Sequence, residues 1–289
     1  MSISQITVRG RTYPVEKKGA GIPCLSVGIG TPNLRTLSPD FFQHFEVYAS
    51  DLYFVQDHGL EDISHVTLEE LVEDLKTVEE ALGLDQYILF GHSAFGILAL
   101  EFVKKYPERV AAVIMVGTPV NANSEVAAQN NRIFEQQADP ERKKLDALRR
   151  EEIAPEDLTA LSPSERFLRE YIYRDAPRYW YIPDYDCSHI WKGFVLDRFV
   201  ERLFTTIFPA VDVRKGLESI QTPVFLAAGL SDYDCCPWLW QKLPNLPKNM
   251  TISLFEKSGH WPQYEEPSLF DKRVIEWVRS QNKSKRTVD

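Results

Sequence analysis

Long apolar runs are missing from this sequence, as are spaced cysteines and any excess of positive charge. No stretch of about 18 consecutive apolar residues occurs, so no membrane-spanning helix is implied. The opening MSISQITVRGRTYPVEKKGAG also lacks the apolar core of a secretory signal. The four cysteines, Cys24, Cys187, Cys235 and Cys236, form no C-x-x-C pair, which leaves neither a disulfide framework nor a zinc site. They read as reduced thiols in a cytoplasmic protein, with Cys235 the one thiol for which a catalytic role is worth considering. A formal net charge of −9 argues against a general nucleic-acid binder, which needs basic patches to displace counterions. It does not reveal the sign of a substrate. Internal repeats and low-complexity tracts are absent too.

What the chain does have is a regular alternation of short apolar runs and helical patterns over its first third. ITVRG and TYPVEK read as two short antiparallel strands, PCLSVGI as a fully buried strand, GTPNLRTLSPDF as turn-rich, and FEVYASDLY as a further strand running to Asp51. TLEELVEDLKTVEEALGL is an amphipathic helix: Thr67 caps it with Glu70 three residues on, and Leu68, Leu71, Leu75, Val78 and Leu82 share a face. DQYILF and VAAVIMVGTP are buried strands on either side of another helix. Such alternation indicates parallel strands with crossover helices on both faces. The pattern stops near Pro119, gives way to charged helical stretches and an aromatic cluster from about Val120 to Lys215, and resumes at TPVFLAAG and MTISLFEK. EPSLFDKRVIEWVRSQ is a closing amphipathic helix, and NKSKRTVD a frayed polar tail. The economical division is one sheet domain (1–119 and 216–289) interrupted by a helical insertion (120–215).

LFGHSAFGILALEF places Ser93 on a sharp bend between strand and helix. A lone hydroxyl is a poor nucleophile near neutral pH unless a base takes its proton, so chemistry at Ser93 demands partners elsewhere. In FLAAGLSDYDCCPWLW a strand runs into Gly229 and then Asp232, with Asp234 two residues on as the other acid that could face the same way. In LFEKSGHWPQYEEPSLF, His260 stands just past the last strand and is the only histidine after Asp232. Parallel α/β sheets bind ligands at the carboxyl ends of their strands, so Ser93, Asp232 and His260 should converge at one edge. His44, His58, His65, His92 and His189 read as surface or structural.

GHSAF resembles the nucleophile elbow G-x-S-x-G of the α/β-hydrolase superfamily, with its second glycine displaced by one to Gly96. GLSD followed by proline resembles that family's acid turn, and G-H-x-P its histidine loop, in the family's order Ser, acid, His. The resemblance spans about residues 5–119 and 215–280. It implies a mostly parallel eight-stranded sheet flanked by helices with an inserted helical cap, and a Ser93–His260–Asp232 triad working through an acyl-enzyme. It further implies an oxyanion hole of backbone amides: Ala94 N–H, and one of Ile29, Gly30 or Thr31 in the loop VGIGTPN, where the family commonly shows His-Gly. Asp51 ends a strand where the family often has Asp too, which there supports a loop. Phe95 and Trp261, flanking the catalytic residues, and Tyr181 and Trp191 in the insertion, are candidate pocket walls. No cofactor and no metal is called for, and the partner is a small acyl substrate of a monomer or homodimer.

Within the superfamily, the stretches from Thr67 to Ser93 and GLSDYDCCPWLW resemble the proline iminopeptidase and carboxylesterase-like branch. Serine rather than aspartate at 93 argues against haloalkane dehalogenases and epoxide hydrolases. The expectation is hydrolysis of a small ester. The rivals are an aminopeptidase using Asp184, Asp186 or Glu135 for the substrate ammonium, a carbon–carbon bond hydrolase, and a ligand-sensing protein that turns over poorly.

Overall fold

The computed structural model describes residues 2–52, 66–196 and 199–286, so His58 and His65 lie outside the described residues. Eight strands form one sheet: β1 Ser2–Val8, β2 Arg11–Gly19, β3 Ile22–Val27, β4 Phe45–Ala49, β5 Tyr87–His92, β6 Val110–Val116, β7 Val224–Gly229 and β8 Met250–Phe255. Their order is β1-β2-β4-β3-β5-β6-β7-β8. β2 is antiparallel to both β1 and β4, and every other pairing is parallel.

All six residues of β5 and all six of β7 are buried, as expected of strands covered on both faces. Side chains alternate between the faces. Tyr87 and Leu89 of β5 join a core with the helices α3 Leu68–Leu82 and α4 Phe95–Lys105. Ile88 and Phe90 join a second core with Leu34 of α1 Gly30–Thr36, Phe41 of α2 Phe41–His44, and Phe270 of the closing helix.

Local signals explain several boundaries. Thr67 Oγ1 accepts from Glu70 N (3.3 Å) while a Glu70 carboxylate oxygen accepts from Thr67 N (2.8 Å), and Gly83, in left-handed backbone, ends α3. The turn-rich reading of GTPNLRTLSPDF needs correcting, because it holds α1 and the start of α2. Pro32 sits in the first turn of α1, where its missing N–H costs nothing, and buried Asn33 is tied to Ser26 (2.8 Å). The tail also differs from expectation: the closing helix runs on through Arg286, since a formed helix extends one bond per residue.

Between β6 and β7 the described residues contain helices and turns but no strand, beginning with α5 Ser124–Gln137 and α6 Pro140–Glu152 and including Ala176–Tyr179 and Ser188–Trp191. Buried Arg142 of α6 fastens this region internally by donating to the carbonyls of Trp180 and Tyr181 (both 2.7 Å). Arg35 of α1 ties it to the sheet through the carbonyls of Ile190 (2.7 Å) and Lys192 (2.8 Å). The closing helix is α7 Pro267–Arg286. No helix among the described residues is long and apolar enough to cross a membrane.

Candidate active site

The carboxyl ends of β3, β5, β6, β7 and β8 bring the loops at Gly28, Ser93, Gly117, Asp232 and His260 to one edge of the sheet. Ser93 has φ +56°, left-handed backbone that an L-residue with a side chain seldom adopts. Two hydrogen bonds pin it there: its N–H donates to Val116 O (2.8 Å) and its carbonyl accepts from Gly96 N (3.0 Å). The bend requires glycine where backbones meet. A Cβ on Gly91 would stand 2.7 Å from Gly96 Cα, and one on Gly96 2.0 Å from Thr118 Oγ1. The displaced second glycine is thus a real close-approach position. Phe95, in the place of the motif's usual glycine, turns its buried ring onto Gly28 and meets Phe208 edge-on at 5.5 Å.

His260 and Asp232 are both 1% exposed, and Nδ1 of the imidazole lies 2.7 Å from Asp232 Oδ2. A carboxylate accepts, so Nδ1 carries the proton and Nε2 keeps its lone pair in the neutral ring. The other carboxylate oxygen accepts from the N–H groups of Cys235 (2.8 Å) and Asp234 (3.1 Å), which fixes the acid's orientation. Of the two candidate acids, Asp232 is therefore the one that meets the histidine. Burial disfavours the imidazolium, yet the carboxylates of Asp232, Asp234 and Glu265 more than offset it, and the His260 pKa lies above the ordinary value. His260 N–H donates to Tyr179 O (2.6 Å), and a Cβ on Gly117 would stand 2.9 Å from Nδ1. The ring thus rests on the residue following Val116, whose carbonyl holds Ser93. No hydrogen bond joins Ser93 Oγ to the imidazole in this structure; such bonds often tighten only when substrate is bound.

His92 is a buried prop. Its Nε2–H donates to His260 O (3.0 Å), its ring stacks on Trp261 at 3.7 Å, and burial, with His260 nearby, pushes its pKa well below the ordinary value. His44 ends α2, and His189 is exposed beside the Tyr264 hydroxyl (3.0 Å).

Hydrogen bonding separates the three candidate amides of the β3 loop. Gly30 N–H donates to Gly28 O (3.0 Å) and Thr31 N–H to Asp51 Oδ1 (2.7 Å), with the Thr31 hydroxyl on the other Asp51 oxygen. Ile29 N–H has no acceptor among the described residues, and neither has Ala94 N–H. Asp51 thus braces the loop from behind.

A family model described as alpha/beta hydrolase fold matches residues 29–267. The chain belongs to the α/β-hydrolase family. It is 27% identical over 269 residues to the AB hydrolase superfamily protein YclE of Bacillus subtilis, a match spanning 92% of this chain and 94% of that one. A proline iminopeptidase of Clostridioides difficile is 24% identical over 233 residues, 78% of this chain and 76% of its own. Among solved structures, an alpha/beta fold family hydrolase from Bacillus anthracis aligns with a TM-score of 0.69 at 20% identity, over 97% of this chain and 99% of that one. A thermophilic esterase from Thermogutta terrifontis aligns with a TM-score of 0.64 at 19% identity, over 97% and 99%. At these identities the structural likenesses show the shared fold.

In this hydrolase-family chain the wall residues separate. Trp261 is fully buried between His92 and an aromatic cluster, its Nε1–H donating to the Tyr171 hydroxyl (3.1 Å), and Trp191 meets it edge-on at 6.0 Å. Tyr181 instead is 42% exposed and approaches the site only through its backbone N–H, which Glu265 Oε1 accepts (2.7 Å). Phe95 faces the Gly28 loop. The sequence singles out neither Tyr171 nor Tyr179 from the aromatic cluster of the insertion; both are half-buried, and Tyr179 packs 5.3 Å from the His260 ring. Asp184 is paired with Arg149 and mostly exposed, Asp186 caps Ser188 N (2.9 Å), and Glu135 is exposed on α5.

Asp232, Cys235 and His260 bring three donor atoms within 4.8 Å of one another. As a metal site the set fits poorly, because Asp232 and His260 Nδ1 are spent on their mutual hydrogen bond. The Cys235 thiol is also held protonated by burial and by the Asp232 and Asp234 charges, the wrong state for a ligand or a nucleophile.

Proposed function

We propose that this chain is a serine hydrolase that cleaves a small ester or related acyl compound through Ser93, His260 and Asp232. The observation that carries this reading is the 2.7 Å Asp232–His260 contact beside a serine in left-handed backbone. Neutral His260 removes the Ser93 proton at Nε2 as Oγ attacks the acyl carbonyl, and Asp232 stabilises the imidazolium that forms. The oxyanion takes its hydrogen bonds from Ile29 N–H and Ala94 N–H. In the general case one such donor is worth about 2.7–4 kcal/mol of barrier. Collapse expels the alcohol, which receives its proton from His260, and water then repeats the sequence on the acyl-enzyme. Residues 120–215 act as the cap over a core of 1–119 and 216–289, Tyr179 and Trp191 supplying part of its inner face.

An aminopeptidase reading draws on the iminopeptidase relative, but the three acids that the sequence offers for a substrate ammonium are paired, capping or on outer helix surface. A fluorophosphonate probe followed by peptide mapping tests the reading directly. Labelling at Ser93, with p-nitrophenyl esters turned over faster than aminoacyl anilides, is expected; an unlabelled Ser93 in folded protein overturns it.

A further inference from the structure

A helix end leaves its last carbonyls without partners inside the helix. In the insertion the one-turn helix Ala176–Tyr179 ends on extended Trp180, whose N–H returns to Ala176 O (3.2 Å). The five carbonyls that follow, from Pro177 to Tyr181, all accept from other elements. Three of them take Arg142 of α6, which is 4% exposed: its guanidinium donates to Pro177 O (2.5 Å), Trp180 O (2.7 Å) and Tyr181 O (2.7 Å). The other two take the loops of the proposed acid and base. Arg178 O accepts from the N–H of Tyr233, the residue after Asp232 (2.9 Å), and Tyr179 O accepts from His260 N–H itself (2.6 Å).

Further contacts press this strap, residues 177–181, onto the same loops. A Cβ on Gly259 would stand 2.1 Å from Tyr179 O, so strap and histidine loop meet backbone to backbone. Tyr181 N–H and Gly259 N–H share the Glu265 carboxylate (both 2.7 Å). The Arg142 guanidinium also lies 5.5 Å from the centre of the buried Tyr233 ring. The acid turn and the base therefore hang from adjacent carbonyls of one strap, and one arginine grips that strap at both ends.

Carbonyls gathered at a helix C-terminus favour a cation. The choice of arginine follows from geometry. A planar fork of five N–H donors reaches carbonyls three and four residues apart at once, whereas a lysine ammonium is a compact point charge on a flexible stem. Asp139, mostly exposed, approaches Arg142 Nε only at 3.4 Å, so the strap carbonyls are the closer partners of the guanidinium. We propose that Arg142 is a positioning residue for the Asp232–His260 pair, setting through the strap how acid and base are held against Ser93. The inference deepens the serine-hydrolase reading and rests on it for its kinetic arm alone.

Arg142→Lys, assayed at a temperature where circular dichroism shows it folded, is the test. With p-nitrophenyl acetate, kcat is expected to fall by about tenfold to a hundredfold, the general consequence of a misplacement approaching 1 Å. KM should change by less than about twofold, because the strap bears on the reacting groups rather than on ground-state binding. Val274→Ala, buried on α7 in the second core, controls for lost stability alone and should leave kcat unchanged. Amide hydrogen exchange, read residue by residue by NMR, needs no turnover. In Arg142→Lys the Tyr233 and His260 amides should lose protection together, by about tenfold or more, while Ser93 N–H, bonded to Val116 O (2.8 Å), keeps its own. Should the variant not fold, the wild type decides: with rising urea its Tyr233 and His260 amides should open with one free energy and one slope. Protection of either amide unchanged in Arg142→Lys, an equal loss of kcat in Val274→Ala, or separate openings in the wild type overturns the proposal. Paired loss of protection in a protein whose wild type cleaves no ester and leaves Ser93 unlabelled would instead remove the hydrolase reading and leave the strap standing.

Discussion

Phe95 lies with its ring against the backbone of Gly28, so that a Cβ at position 28 would stand 2.4 Å from Phe95 Cδ1. The two departures from the family's pattern, a phenylalanine in the elbow and an unusual loop after β3, are thus one complementary contact. Gly28 also has φ +84°. Gly28→Ala should cost about 1–3 kcal/mol from backbone strain alone, with the clash added. It should also slow ester hydrolysis, because Ile29 N–H is the next amide along. Phe95→Ala relieves the clash but not the strain. In denaturant unfolding, the Gly28→Ala penalty should therefore shrink by about 0.5–3 kcal/mol in a Phe95→Ala background. Equal penalties in both backgrounds would contradict a direct contact.

Asp51 fixes the same loop from the other side through both the N–H and the hydroxyl of Thr31. Asp51→Ala orphans a donor, at a cost of about 1–3 kcal/mol, and frees the segment that carries the Ile29 amide. The expected outcome is a fall in kcat exceeding any change in KM, since the oxyanion is present only after attack. A change confined to KM would mean that the loop serves binding alone.

How much of this was legible beforehand follows from where the information lies. The α3 cap and the buried runs of β5 and β7 are local, each encoded within a few residues, and they were readable. The meeting of Asp232 with His260 was readable because each follows a strand and strand ends share an edge. Singling out Ile29 as the amide of the three without an acceptor among the described residues was not, because it depends on Asp51, twenty positions away, engaging Thr31. Nor could the run YWYIPDYDCSHIW declare which aromatics face inward; Tyr179 rests beside His260 while Tyr181 looks out, and no periodicity separates them. The turn-rich reading of α1 failed because Pro32 and Gly30, breakers mid-helix, are tolerated at a helix start.

The proposed triad carries a pH signature. His260 must be neutral to act as base, and its pKa lies above the ordinary histidine value. Accordingly kcat/KM should climb with pH through a midpoint above about 6.5. Asp232→Asn removes the largest influence favouring the charged ring while burial remains, so the midpoint should move down. The rate should also drop by a factor on the order of 10⁴, the general consequence of a misheld tautomer. A pH–rate profile of wild type and variant checks both signs; an unmoved midpoint would indicate that His260 is not the titrating base.

Glu265 joins the histidine loop to the helical insertion, one carboxylate oxygen accepting from Gly259 N and the other from Tyr181 N, both at 2.7 Å. Glutamine offers a single acceptor oxygen, so Glu265→Gln turns an amide NH₂ toward one of those N–H groups and should destabilise the fold by about 1–3 kcal/mol. Burial pushes the Glu265 pKa up to about 7, above the ordinary value of about 4.3 in the unfolded chain. The folded state then binds the proton more tightly, and this group's contribution to stability declines as pH rises from about 4.3 through about 7. Glutamine cannot titrate. Urea unfolding at pH 5 and pH 8 should therefore show the wild type losing more stability between the two than Glu265→Gln does, with the variant's penalty larger at pH 5; a penalty equal at both pH values would mean that the carboxyl does not titrate in that window.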